Sequence, residues 1–169
     1  MQAFFDIDTQ VDFLFPAGAL YAPGAERLIP RIAELNRYAI AQGYALISTV
    51  CAHTETADEF KVWPPHCVAG TVGQTKPAVT RQEGQIIVEK NELDLFSNPD
   101  LLPMLDRMGI TECTVYGVLT EYCVRLAAMG LLATGRRVRL VTDGIHHLSE
   151  TAARETLDEF RRAGGELSA

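Results

Sequence analysis

The strongest constraint on the fold comes from residues 112–129, ECTVYGVLTEYCVRLAAM, where a short apolar strand is followed almost at once by a helix. Residues 113–118 are apolar and β-branched, as in a buried strand, and apolar residues recur at helical spacing from Tyr122 onward. So tight a turn predicts that Cys123 lies in the first helical turn, where free backbone N–H groups and the helix dipole favour a thiolate. Cys123 is therefore a candidate nucleophile, although a cysteine that only packs in the core is the commoner case.

The rest of the chain repeats this alternation of strands and helices. Strands are predicted at 3–8, 44–50, 85–89, 113–118 and 137–142, with a stub of a sixth at the end, and helices at about 25–42, 101–107, from 122 onward and 149–163. Such strands pair in parallel and are covered by helices on both faces. The sequence therefore predicts an α/β fold, a three-layer α/β/α domain with a mainly parallel central sheet of Rossmann-like topology. Residues 1–169 are expected to form a single domain.

Composition and charge argue against several classes of protein. The net charge is −7 and no basic stripe is visible, so no nucleic-acid partner is expected. No segment approaches the roughly 20 apolar residues of a membrane span, and the first ten residues lack the basic start of a signal peptide. Neither glycine-rich nucleotide-binding motif occurs. The chain is therefore expected to be cytoplasmic, with a small molecule as its partner.

Four cysteines are present, at positions 51, 67, 113 and 123, and they follow no disulfide framework. In a chain without an export signal they are expected to be reduced. Cys67 and Cys113 are interpreted as packing residues.

Three residues with complementary chemistry follow predicted strands. Asp8, Lys90 and Cys123 each stand at or just beyond a strand's C-terminal end, and in a parallel sheet these ends share the edge where ligands bind. A carboxylate can take the thiol proton, while a lysine beside both keeps the carboxylate ionised and favours the thiolate. The alternative is that Asp8 and Lys90 form an ordinary surface ion pair. The region 51–83 has no periodicity, and a loop of that length in a compact domain is commonly functional.

Several motifs together resemble one family. Asp8-Thr-Gln-Val-Asp12-Phe13, the segment WPPHCVAGT at 63–71, Lys90 after a strand, and GVLTEYCV at 117–124 are similar to the isochorismatase-like cysteine hydrolases, and most to the nicotinamidases among them. The matches run in the family's order from the first strand to the last.

The resemblance implies a Cys123 nucleophile, Asp8 as proton acceptor and donor, and Lys90 holding both in their charged states. It also implies a cis peptide between Val118 and Leu119. The N–H groups of Leu119 and Cys123 would form the oxyanion hole. Phe13 and Trp63 match positions that sandwich a flat ring.

The resemblance further implies a divalent metal ion, held in the family by an Asp-x-His pair, a later His or Glu, and the histidine of the WPPH segment. This chain offers Cys51 in place of the Asp, then His53, Glu59 and His66. Thiolate and imidazole ligands both suit zinc, so zinc is the expected ion. Alternatively, Cys51 packs at the strand end and the metal is absent or weakly held.

The expected function is hydrolysis of a small planar carboxamide, with nicotinamide as the leading candidate and a thioester intermediate. The alternatives are a superfamily hydrolase acting on a carbamoyl or ureido compound or on isochorismate, and a non-catalytic thiol protein. The family and the apolar helices suggest an assembly of several copies. His146 and His147 either line the rim of the pocket or form a solvated pair before the last helix, and the second interpretation is favoured.

Overall fold

In the computed structural model, which describes residues 1–169, six strands form one sheet in which every neighbouring pair is parallel. The order across the sheet is β3-β2-β1-β4-β5-β6. The strands are β1 (Gln2–Ile7), β2 (Ala45–Cys51), β3 (Ile86–Lys90), β4 (Glu112–Val118), β5 (Arg137–His146) and β6 (Glu166–Ser168). The predicted α/β fold with a parallel sheet is confirmed.

Five helices accompany the sheet: α1 (Val11–Leu14), α2 (Ile29–Ala41), α3 (Leu101–Arg107), α4 (Arg125–Ala133) and α5 (Glu150–Arg162). Side chains alternate along β1, so that Phe5 joins one apolar core and Phe4 joins another. The first core contains residues of α3, α4 and α5, and the second contains those of α2. Helices therefore cover both faces of the sheet, which gives the three predicted layers.

The start of the fourth helix differs from its prediction. A wide helical turn, Thr120–Val124, precedes α4, and Tyr122 within it has φ −120° and ψ −105°, outside the helical region. Cys123 therefore lies in a kinked turn between β4 and α4 rather than in the first turn of a regular helix. Wide turns of this kind occur often at functional sites.

The sheet order places a crevice at the end of β1. The chain goes from β1 to β2 and β3 on one side, and then crosses to β4 on the other side. At such a reversal the connections leave the sheet in opposite directions, and ligands bind in the opening between them. The ends of β1, β2, β3 and β4 therefore surround one opening.

The long region between β2 and β3 is ordered by contacts rather than by regular structure. It contains two short 3₁₀ turns, Asp58–Lys61 and Ala78–Thr80, and one parallel bridge between His53 and Val68. Lys76 connects this region to β1 through a buried ion pair with Asp6, in which Nζ lies 2.9 Å from Oδ2.

No helix has both the length and the apolar character needed to cross a membrane.

Candidate active site

Asp8, Lys90 and Cys123 meet at the crevice. Nζ of Lys90 lies 2.8 Å from Oδ2 of Asp8 and 3.7 Å from Sγ of Cys123. The other carboxylate oxygen of Asp8 accepts a hydrogen bond of 2.5 Å from the hydroxyl of Thr49. All four residues are buried. An acid, a base and a thiol therefore share one enclosed cluster, as their positions after the strands predict.

Both members of the buried pair, Asp8 and Lys90, are charged. Burial by itself would raise the pKa of Asp8, but the charge of Lys90, with hydrogen bonds from Cys123, Lys90 and Thr49, brings it below its ordinary value. Burial would likewise lower the pKa of Lys90, but the charge of Asp8 raises it well above its ordinary value. Asp8 is thus an ionised carboxylate at neutral pH, ready to accept a proton.

Cys123 behaves differently from the thiolate that its place in the sequence predicts. Burial raises the pKa of Cys123 well above its ordinary value, and the charge of Lys90 offsets this only in part because Asp8 acts in the opposite sense. The resting site therefore holds a neutral thiol beside a carboxylate. A carboxylate in this position is able to accept the proton of the thiol.

Cys51 belongs to this cluster and not to the metal group in which it was expected. Its Sγ lies 3.2 Å from Nζ of Lys90 and 3.7 Å from Oδ2 of Asp8. Burial and the charge of Asp8 raise the pKa of Cys51 well above its ordinary value, so the group is a thiol. Cys51 and Lys90 are paired at the ends of β2 and β3, which brings the two side chains into contact.

The other three expected metal ligands do come together. Atoms of His53, Glu59 and His66 that can bind a metal all lie within 4.8 Å of one another, and Cys51 is not among them. Oε2 of Glu59 is 3.5 Å from Nε2 of His53 and 3.8 Å from Nε2 of His66. This group could hold a metal ion.

The chemistry of the group fits a metal. Nε2 of His53 and Oε1 of Glu59 are buried and have no hydrogen-bond partner, which is costly unless something else binds them. Nδ1 of His66 contacts the carbonyl oxygen of Pro64 at 2.8 Å, which leaves its Nε2 free to bind. Burial lowers the pKa of His66, so the ring is neutral, as a metal ligand must be.

The motif Asp-x-Gln-x-Asp-Phe gains a physical explanation. The amide of Gln10 accepts a hydrogen bond from the N–H of Cys51 at 2.7 Å and donates to its carbonyl at 2.8 Å. The carboxylate of Asp12 accepts hydrogen bonds from the N–H groups of Cys67 and Ala19. The two side chains thus fix the backbone beside Asp8 and beside His66. Their polar character is visible in the sequence, but their partners are not.

A largely apolar pocket opens onto the cluster. Phe13 and Trp63 both line it, as do Leu119 and Cys123, the two residues of the expected oxyanion hole. Trp63 meets Tyr122 edge-on, with ring centroids 5.8 Å apart. The complete lining is Phe13, Leu20, Cys51, Glu59, Trp63, His66, Leu93, Val118, Leu119, Tyr122, Cys123 and Leu148.

Sequence reasoning missed five lining residues: Leu20, Leu93, Val118, Tyr122 and Leu148. Tyr122 could have been found, because it directly precedes the candidate nucleophile Cys123. His146 and His147 do not line the pocket. Nε2 of His146 contacts the carbonyl of Pro23 at 2.9 Å, and the two imidazoles stack on each other.

The turn that carries Cys123 is held from two sides. The peptide bond between Val118 and Leu119 is cis, as the resemblance implies. The carbonyl of Leu119 accepts hydrogen bonds from the N–H groups of Tyr122 and Val124, at 3.1 and 3.2 Å. Glu121 accepts hydrogen bonds from two N–H groups at the start of α5, those of Leu148 and Ser149, both at 2.9 Å.

The chain is similar to known proteins over nearly its whole length. A model of the isochorismatase domain matches residues 2–169. The chain is 28% identical to the nicotinamidase/pyrazinamidase of Mycobacterium tuberculosis over 99% of its own length and 98% of the relative's. It is 25% identical to the maleamate amidohydrolase of Pseudomonas putida, with 81% of this chain and 68% of the relative covered.

The fold is also similar to that of a solved structure. The pyrazinamidase of Pyrococcus horikoshii, in complex with zinc, superposes with a TM-score of 0.93 at 29% identity, covering 99% of this chain and 98% of that one. The family resemblance inferred from the motifs is thus confirmed. Because the domain model spans nearly the whole sequence, the chain belongs to the isochorismatase family.

Proposed function

We propose that the protein is a cysteine amidohydrolase that releases ammonia from a small planar carboxamide, with nicotinamide as the leading substrate. The observation that carries the proposal is the enclosed cluster of Cys123, Asp8 and Lys90 at the base of an apolar pocket. A neutral thiol beside an ionised carboxylate is the pairing that a nucleophile and its general base require.

The reaction would proceed in two halves. Asp8 takes the proton of the Cys123 thiol, and Sγ attacks the amide carbonyl carbon. The protonated Asp8 then gives this proton to the departing nitrogen, so that ammonia leaves and a thioester remains. Water attacks the thioester while Asp8 accepts its proton, and the returning proton restores the thiol as the carboxylic acid leaves.

The remaining groups would stabilise charge. The N–H groups of Leu119 and Cys123 would donate to the oxyanion, which appears in both halves of the reaction. Lys90 would keep Asp8 ionised between proton transfers, since without it burial would favour the neutral acid. Its ammonium is held in place by Asp8 at 2.8 Å and by the carbonyl of Glu92 at 3.0 Å.

The pocket favours a flat, uncharged substrate. Ten of its twelve lining residues are hydrophobic, and neither an arginine nor a lysine is among them. A substrate that carries a carboxylate would find no cationic side chain in this lining, and only the metal ion proposed below could offset its charge. Phe13 and Trp63 would contact the faces of an aromatic ring, so a pyridine carboxamide suits this lining better than maleamate does.

The proposal includes a zinc ion on His53, Glu59 and His66. Two imidazoles and a carboxylate are a common ligand set for zinc in enzymes, and they leave a position open. When bound, zinc would supply a Lewis-acid centre at the pocket wall for a lone pair of the substrate or of water.

Ammonia release tests the proposal directly. Purified protein would be incubated with nicotinamide, maleamate and an N-carbamoyl amino acid, beside the variants Cys123→Ala and Cys113→Ala. Cys113 is a matched control, because it is buried in the core outside the site. We expect release from nicotinamide that is lost in Cys123→Ala and kept in Cys113→Ala. Turnover of only the other two compounds would refute nicotinamide as the substrate, and no release from any would refute the amidohydrolase.

A further inference from the structure

His53 is held with one ring nitrogen unsatisfied. The side chain is fully buried, and its Nε2 has no hydrogen-bond partner although it lies 3.5 Å from Oε2 of Glu59. A buried imidazole can rotate or change tautomer to satisfy its nitrogens unless something holds it. Another contact of the ring must therefore keep Nε2 facing Glu59.

The other ring nitrogen contacts Asn91. Nδ1 of His53 lies 3.3 Å from Oδ1 of Asn91. An amide oxygen only accepts hydrogen bonds, so this contact places the hydrogen on Nδ1 and leaves the lone pair on Nε2. That is the tautomer in which Nε2 can bind a metal.

Strand pairing brings these two residues together. Cys51 pairs with Lys90 at the ends of β2 and β3, and the N–H of Ala52 donates to the carbonyl of Lys90 at 2.8 Å. The ladder thus continues past both strands, and His53 meets the residue after Lys90. Lys90 serves the catalytic cluster, and its neighbour in sequence reaches the metal group.

The second histidine is held in the same way by a backbone atom. Nδ1 of His66 contacts the carbonyl oxygen of Pro64 at 2.8 Å, and its Nε2 also faces Glu59. A carbonyl oxygen cannot be removed by substitution. Of the two contacts that orient the imidazoles, only the one to His53 depends on a side chain that can be changed.

We propose that Asn91 is a positioning residue that holds His53 in its metal-binding tautomer. The inference rests on the metal ion of the proposed function. Partners of this kind fix ring orientation and raise ligand basicity, and their loss typically weakens metal binding about 10–100-fold.

A series of substitutions tests the role of Asn91. Zinc dissociation constants would be measured for the full chain by competition with a chromophoric chelator. Asn91→Ala should weaken zinc binding about 10–100-fold. Asn91→Asp keeps an acceptor and adds charge, so it should bind zinc at least as tightly as the native chain. Asn98→Ala is the matched control, because Asn98 bonds the backbone of Glu89 in β3 without contacting the metal group.

Two measurements separate positioning from loss of structure. Metal-free Asn91→Ala should still unfold in a single cooperative thermal transition, and iodoacetamide should alkylate its Cys123 at the native rate. The inference is overturned if Asn91→Ala binds zinc as tightly as the native chain, or no more weakly than Asn98→Ala. Failure of the native chain to bind zinc would overturn it together with the proposed metal site, whereas the ammonia assay judges the amidohydrolase separately.

Discussion

Nζ of Lys90 lies 2.8 Å from Oδ2 of Asp8, and the two side chains are almost completely buried. The pair keeps Asp8 ionised, while burial raises the pKa of Cys123 and leaves the proton on its thiol. Asp8 is thus the acceptor and Cys123 the donor in the first proton transfer that we propose. The proposed order of proton transfer therefore depends both on this contact and on the burial of Cys123.

Replacing Lys90 by Met should change how activity depends on pH. Without the ammonium, burial dominates and the pKa of Asp8 rises. Activity requires the ionised carboxylate, so it should fall in both proteins as the pH drops through the pKa of Asp8. We expect this acid limb of kcat/KM to lie below pH 3.8, the ordinary value, in the native chain. It should move toward neutral pH in Lys90→Met.

Lys76→Met is the matched control for this variant. Lys76 forms an equally buried ion pair with Asp6, at 2.9 Å. Removing one partner of a buried pair costs about 3–5 kcal/mol, so both variants should unfold more easily. Only Lys90→Met should move the acid limb. An equal movement in both would mean that the shift reflects weakened folding and not the pKa of Asp8.

Asp8→Asn should separate proton transfer from folding. An amide cannot accept the thiol proton or deliver it to ammonia, and general acid–base catalysis contributes about 10²–10⁴-fold. We expect kcat/KM for ammonia release to fall by about that factor. Asp6→Asn, which alters the other buried pair, should retain most of the activity. Activity near the native value in Asp8→Asn would exclude Asp8 as the proton carrier.

The sequence was sufficient to predict that residues placed at the ends of the strands would lie close together. Asp8, Lys90 and Cys123 each follow a strand, and the parallel order of the sheet brings strand ends together without any need to know side-chain directions. The layers were predictable for a similar reason, because alternation of apolar residues in strands and helices fixes which faces are buried.

Side-chain directions and desolvation were not predictable. The sequence places Cys51 two residues before His53, but only the structure shows its Sγ turning to Lys90. Likewise, the strand-to-helix turn predicted a thiolate at Cys123. Burial raises the pKa of Cys123 by more than the charge of Lys90 lowers it. Desolvating a thiolate is more unfavourable than the attraction of one ammonium group 3.7 Å away is favourable.

Gln10→Ala should lower stability measurably. The Gln10 amide bonds both backbone groups of Cys51 and the carbonyl of Gln74, and the Cys51 groups are buried. A buried polar group left unsatisfied costs about 1–3 kcal/mol. In a chain of this size each kcal/mol lowers Tm by about 2–4 °C. Calorimetry should show a clear fall in Tm, whereas Gln42→Ala, at an exposed helix end, should leave it unchanged.

Cys51→Ala tests whether the thiol serves the catalytic cluster or the metal. Its Sγ contacts Lys90 and Asp8, while the metal-binding atoms of His53, Glu59 and His66 form a separate group. Zinc affinity should therefore be unchanged in Cys51→Ala and should collapse in His53→Ala, measured by the same chelator competition. An equal loss in both variants would mean that Cys51 turns to the ion when it binds. Lys90 would then lose its contact with that thiol, and metal binding would alter the charges around Asp8.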